Sequence, residues 1–253
     1  MILHDKKLVF IHVPKTGGTS LSRFLEPYCD KDSLKFSPYD KEGNQHARIT
    51  DYIDAYGKNI LEDYTFFSII RNPFERALSN ALYQNNNTFD REFFKKVLIE
   101  WAALGLAPHS HFYFYMKFRT FSTPEMMEDE KGPMYTLENA DDRDELVPLI
   151  YGAIESEEQL TEYRRLIHLP FVLRFENYAS DVAAFFDRYD IKYCSEDLKK
   201  KTNSTTHKHY SYYYQPAEAA ILRFQCALDM QVFKYQYEDK REFNSITREE
   251  IYK

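Results

Sequence analysis

Lys15 heads the turn Pro14-Lys15-Thr16-Gly17-Gly18-Thr19-Ser20, which follows an apolar run and precedes an amphipathic one. Strand, glycine-bearing turn, helix is the order that aims backbone amides at an anion such as phosphate. The amides of Thr16 to Ser20 are placed to converge at a helix N-terminus, where the macrodipole adds about half a unit of positive charge. Lys15 adds a full, mobile charge, and Thr19 and Ser20 add hydroxyl donors. An ATP-binding loop carries its lysine after the glycines, whereas here it comes before them. The competing reading is an ordinary β–α turn with an exposed lysine.

A second cluster repeats this grammar. Arg71 ends the apolar run Phe66 to Ile70, and Ser79 stands eight residues on. If Asn72 caps a helix and Pro73 takes its first position, Ser79 lies about two turns inside, roughly 11 Å along the axis. An extended arginine and a phosphate together span that distance. The alternative pairs Arg71 with Glu75 and leaves Ser79 lining the helix.

These turns need elements to hold them. Residues 7 to 13 are a continuous β-type run and Phe66 to Ile70 a second, the pattern of strands buried on both faces of a parallel sheet. "FVLRFEN" (171 to 177) reads as a third strand, followed by a helix to about Asp187. Helical patterns cover 20 to 27 (capped by Thr19 or Ser20), 49 to 60, the stretch from Pro73, 90 to 106, 156 to 167 and 215 to 232. "HFYFYMKFRTF" (111 to 121) alternates as a strand with one wet face, with a helix as the alternative. Residues 28 to 45, 122 to 148 and 195 to 211 read as loops. With 253 residues, 43% hydrophobic and 29% charged, one domain spanning 1–253 can bury a core. The expected class is α/β: a three-layer α/β/α fold with a central, mainly parallel sheet.

A net charge of −7 speaks against a broad nucleic-acid-binding face. Three scattered cysteines form neither a disulfide framework nor a zinc site. No apolar run reaches the ~18 residues of a membrane span, and the N-terminal run is too short for a signal peptide. The expectation is a soluble, cytoplasmic protein.

The stretch Phe10 to Ser20 resembles the 5′-phosphosulfate loop of the sulfotransferase family. Arg71-Asn72-Pro73-Phe74-Glu75-Arg76-Ala77-Leu78-Ser79 resembles that family's 3′-phosphate element. "LRFENYASDV" (173 to 182) and "FKYQY" (233 to 237) are similar to further family segments, and the branch resembled is the carbohydrate sulfotransferases of the heparan 2-O-sulfotransferase group. The resemblance implies a P-loop-like fold that binds 3′-phosphoadenosine 5′-phosphosulfate. It implies that Lys15 meets the phosphosulfate and stabilises the leaving phosphate, with Thr16, Gly17, Gly18, Thr19 and Ser20 around it. It implies also that Arg71 and Ser79 grip the 3′-phosphate. Lys15 and the amides supply the positive charge, so no metal is expected.

Transfer to a hydroxyl needs a base, and histidine is matched to neutral pH. Of eight histidines, His4, His12 and His168 read as structural or solvated. His46, in "GNQHARI", matches the region where the resembled group carries its base; the alternative is a solvated helix-cap histidine. His109 and His111 fall on one side of an extended chain. Without a third ligand at a suitable spacing they suit contact with substrate better than a metal. The stretch 199 to 214 is either a loop over the nucleotide, with Thr202, Asn203, Thr205 and Lys208 as contacts, or a solvated basic loop. The reading is sulfuryl transfer to a carbohydrate hydroxyl. Its alternatives are a catalytically silent nucleotide- or glycan-binding module and a P-loop kinase, which the position of Lys15 disfavours.

Overall fold

A computed structural model describes residues 1–29, 45–103, 109, 112, 156, 171–199 and 207–241. Among the described residues the centre is a four-stranded sheet of β1 (Ile2–Leu3), β2 (Leu8–Ile11), β3 (Thr65–Ile70) and β4 (Phe171–Arg174), laid side by side in chain order. The short β1 is antiparallel to β2, and β2, β3 and β4 are mutually parallel. Phe10 lies opposite Phe67, and Ile70 opposite Arg174. The C-terminal ends of β2 and β3 therefore open at the same edge, where both candidate anion turns begin. Ligands of open parallel sheets sit beyond such strand ends.

Strand β2 is apolar throughout because both of its faces are covered. Leu8 and Phe10 pack with Phe67, Ile69 and Leu173 against α1 (Gly18–Leu25) and α6 (Tyr178–Arg188), through Leu21, Leu25, Val182 and Phe185. Val9 and Ile11 pack with Phe66 and Ile70 on the other face, against Ile49 and Tyr52 of α2 (Ile49–Tyr56), Ile60 of α3 (Ile60–Asp63) and Phe233. This is the expected three-layer α/β fold. A third apolar cluster joins α4 (Pro73–Gln84), α5 (Arg91–Ala103) and α8 (Pro216–Gln225), with Phe74, Phe94, Trp101, Tyr214 and Leu222 at its centre.

Several boundaries differ from the sequence reading. Helix α1 begins at Gly18 with Gly17 at its N-cap and no side-chain cap, so neither Thr19 nor Ser20 has the capping role. Pro27 falls in a 3₁₀ turn, Glu26–Tyr28. Residues 171 to 177 are a four-residue strand followed by a 3₁₀ turn at Phe175–Asn177. Polar composition suggested a loop over 195 to 211, yet it contains α7 (Ser195–Lys199) and the 3₁₀ turn Tyr210–Tyr212. The single helix expected over 215 to 232 is two, α8 and α9 (Ala227–Val232), broken at the buried Cys226. Leu222, Cys226 and Leu228 are all buried, so apolar spacing runs across the break and hides it. Asn72 does cap α4, its side chain accepting from the amides of Phe74 and Glu75 at 3.0 and 3.4 Å. The strand expected at 111 to 121, the loop at 122 to 148 and the helix at 156 to 167 lie, but for Phe112 and Ser156, outside the described residues.

Candidate active site

The first turn closes on itself before it presents anything. The buried Thr16 hydroxyl donates to the Val13 carbonyl at 2.9 Å. Lys15 and Gly17 both take the left-handed backbone region, with φ of 63° and 87°. Gly17 does so without steric cost, whereas Lys15 carries strain of about 1 kcal/mol or more. The Ser20 and Leu21 amides donate back to the Gly17 carbonyl at 3.1 and 3.3 Å. Ser20 is thus engaged, and it is the leading amides of α1 at Gly18 and Thr19 that lack an intrahelical acceptor.

Gly18 is required for a separate reason. A Cβ there would fall within the ring of His12, which is 4% exposed and stacks on Phe10. Gly18→Ala is expected to push His12 out of place and lower stability by roughly 1–3 kcal/mol, as overpacking does. Chemical denaturation of the variant checks this, together with the loss of the His12–His46 ring contact described below.

Cations gather around the turn. The Lys15 ammonium lies 3.6 Å from the centroid of the Tyr83 ring. Burial and the neighbouring Arg71 pull its pKa down to about 8. Among the described residues Lys15 makes no ion pair. Arg71 donates through Nη1 to the Lys15 carbonyl at 3.2 Å, meets Glu75 Oε2 at 3.4 Å through Nη2, and lies over the Phe175 ring at 4.1 Å. Its Nε is buried with no hydrogen-bond partner among the described residues. Arg76, fully buried, donates through Nε to the Pro14 carbonyl at 2.8 Å and lies over Trp101. Arg71 and Arg76 therefore both brace the backbone of the lysine turn.

His46 is held beside this cluster. Asp51 closes the N-terminus of α2 by accepting from the Arg48 amide at 2.7 Å, and Ala47 is buried. His46 Nδ1 is 2.9 Å from the His12 carbonyl, and the two imidazole centroids are 4.7 Å apart. A nitrogen facing a carbonyl carries the proton in the neutral ring, so Nε2 is the basic nitrogen. Burial lowers the His46 pKa below the ordinary imidazole value; the carbonyl bond opposes this, and Arg76 and Lys15 add to it. His46 is therefore neutral at pH 7.

The remaining sequence candidates fall in different places. Ser79 is half-buried on α4, two turns from Asn72. Thr19 is exposed at the start of α1. Lys208 is exposed, its ammonium 5.4 Å from the Tyr212 ring, but its neighbour His207 stands 3.7 Å from Glu75 and ties this segment to the Arg71 pair. His109 has no exposed surface: Nδ1 is bonded to Asp229 and Nε2 accepts from the Arg71 amide, so contact with a substrate does not fit its placement. His111 lies outside the described residues. Among the described residues, no group of three or more His, Cys, Asp or Glu is placed to hold a metal, and no helix is long and apolar enough to cross a membrane.

From sequence His12 reads as structural or solvated, and nothing marks Arg76, Tyr83, Phe175 or Asp229 as members of the site. Arg76 has one available sign, a charged residue on the buried side of α4 among Phe74, Ala77 and Ala81. Tyr83, directly before the polar run Gln84 to Thr88, has none.

A family model described as "Sulfotransferase family" matches residues 1–236. No curated protein and no solved structure matches the chain.

Proposed function

We propose, for a chain that belongs to the sulfotransferase family, that it moves a sulfuryl group from 3′-phosphoadenosine 5′-phosphosulfate to a carbohydrate hydroxyl. One observation carries this reading. Lys15 and Arg71 share the mouth of the glycine turn, and Lys15 is desolvated enough to depress its pKa to about 8 without an acid to neutralise it among the described residues. Such a pair favours an anion that brings its own negative charge.

The residues suit the donor. Among the described residues the Nε of Arg71 and the ammonium of Lys15 are donors without a hydrogen-bond acceptor, and phosphate oxygens are acceptors only. Arg71 with Ser79 would hold the 3′-phosphate, and Lys15 with the Gly18 and Thr19 amides the 5′-phosphosulfate. Lys208, on the segment latched to Glu75, would close over the nucleotide. The bound donor supplies the activated sulfuryl group. Lys15 stabilises the charge that develops where that group departs, and His46 Nε2 takes the proton from the acceptor hydroxyl. The carbohydrate acceptor is supported by Tyr83, a residue 61% exposed whose ring lies beside the Lys15 ammonium and offers a face for a sugar to stack on.

Turnover of labelled phosphosulfate against a panel of neutral and acidic oligosaccharides tests the reaction. The donor assignment has its own test. Wild type is expected to bind adenosine 3′,5′-bisphosphate at least about tenfold more tightly than AMP, and Arg71→Ala to lose most of that difference, since a charge-assisted hydrogen bond is worth ~1.5–3 kcal/mol. Calorimetry that found equal affinities in wild type would remove Arg71 from the site.

A further inference from the structure

We infer that the buried pair His109–Asp229 positions Arg71 for its ligand, an inference that rests on the reading of Arg71 as the residue that holds the 3′-phosphate. Both side chains are 0% exposed, with His109 Nδ1 2.8 Å from Asp229 Oδ2. The same carboxylate oxygen also accepts from the His109 backbone amide. A carboxylate on Nδ1 fixes the tautomer with its proton there and leaves Nε2 as an acceptor. That acceptor receives the backbone N–H of Arg71 at 3.2 Å.

The location explains the need. Arg71 is the first residue beyond β3, whose ladder with β4 ends at the Ile70–Arg174 pair. Its amide has left the sheet, and a buried amide without an acceptor is costly. The next amide, that of Asn72, is taken by the Glu176 carboxylate at 2.7 Å. Two consecutive peptides are thus gripped by side chains, which fixes the direction in which the Arg71 side chain leaves the backbone. That direction lays its guanidinium over Phe175 and against the Lys15 carbonyl.

His109 must stay neutral to accept, and its surroundings keep it so. Burial, then Arg76, lower its pKa, against the pull of Asp229 and Glu176. Asp229 belongs to α9, so the pair also ties that helix to the end of β3. His109 and Asp229 are positioning residues: neither is placed to touch the nucleotide.

The test compares wild type, the double variant His109→Leu/Asp229→Leu, and His109→Gln. Removing both partners together avoids stranding a buried charge, so the double variant is expected to fold, which thermal unfolding checks. His109→Gln keeps a neutral acceptor for the Arg71 amide. Two quantities are read: hydrogen exchange of the Arg71 amide in the free protein, and calorimetric affinity for adenosine 3′,5′-bisphosphate and for AMP. In the double variant, exchange at Arg71 should accelerate and bisphosphate affinity should fall, each by about tenfold, the equivalent of one hydrogen bond. AMP affinity should be unchanged, and His109→Gln should remain within about threefold of wild type throughout. A folded double variant with either Arg71 exchange or bisphosphate affinity unchanged overturns the inference. Should wild type itself bind bisphosphate and AMP alike, the 3′-phosphate reading of Arg71 falls. Exchange at Arg71 then decides the positioning role alone: acceleration rescued by glutamine upholds it, and no change overturns it.

Discussion

Lys15→Ala is expected to lower kcat/KM for sulfuryl transfer by about 10²–10³-fold, the range seen when one preorganised donor is removed from a developing negative charge. The ammonium sits at the mouth of the turn without an ion-pair partner among the described residues, already partly desolvated, so little reorganisation is needed when an anion arrives. Affinity for adenosine 3′,5′-bisphosphate should fall as well, because the same charge meets the 5′-phosphate. The left-handed backbone at Lys15, φ 63°, provides a control. Lys15→Gly relieves that strain and should be at least as stable as wild type, while losing activity to the same degree as alanine. A glycine variant that is stable and inactive would show that the turn tolerates strain for the sake of its side chain. Either variant retaining kcat/KM within threefold of wild type would place the chemistry elsewhere.

The turns were legible because their constraints are local. An apolar run buried on both faces, a glycine needed at φ 87°, and an Asn-Pro helix start leave marks within a few residues of each other. The three-layer architecture follows from the same runs. What the sequence hid was contact between distant segments. Asp229 reaches His109 across 120 residues, and Arg76 reaches Pro14 across 62. No spacing rule links such pairs. His109 misled for that reason: two histidines on one side of an extended chain suit a substrate contact until the buried carboxylate partner of the first is seen. His12 misled in the opposite way. It stands between apolar residues and reads as structural or solvated; it is buried, and its ring also explains Gly18 while its carbonyl orients His46.

That orientation makes His46 the most discriminating position. His46→Ala is expected to reduce turnover by about 10²–10⁴-fold, the contribution of a positioned general base. Bisphosphate affinity should stay within about twofold of wild type, because no phosphate contact is assigned to this side chain. Lys15→Ala, which should lose both, is the contrast. The pH profile of kcat/KM carries the same assignment. His46 acts in its neutral form, and burial lowers its pKa, so the acid limb should lie below the ordinary imidazole value of about 6.5. Lys15 acts in its charged form, so in the free enzyme activity should decline again as pH rises through about 8. His46→Ala should remove the acid limb and leave the alkaline one. A bound anion favours the protonated amine, so the alkaline limb of kcat should lie above that of kcat/KM. If His46→Ala turns over normally while a His111→Ala variant is inactive, the base belongs to the segment after His109, and the His12–His46 contact serves only to seat the turn. If both variants lose activity and His46→Ala loses bisphosphate affinity in the same measure, His46 supports the anion site and takes no proton.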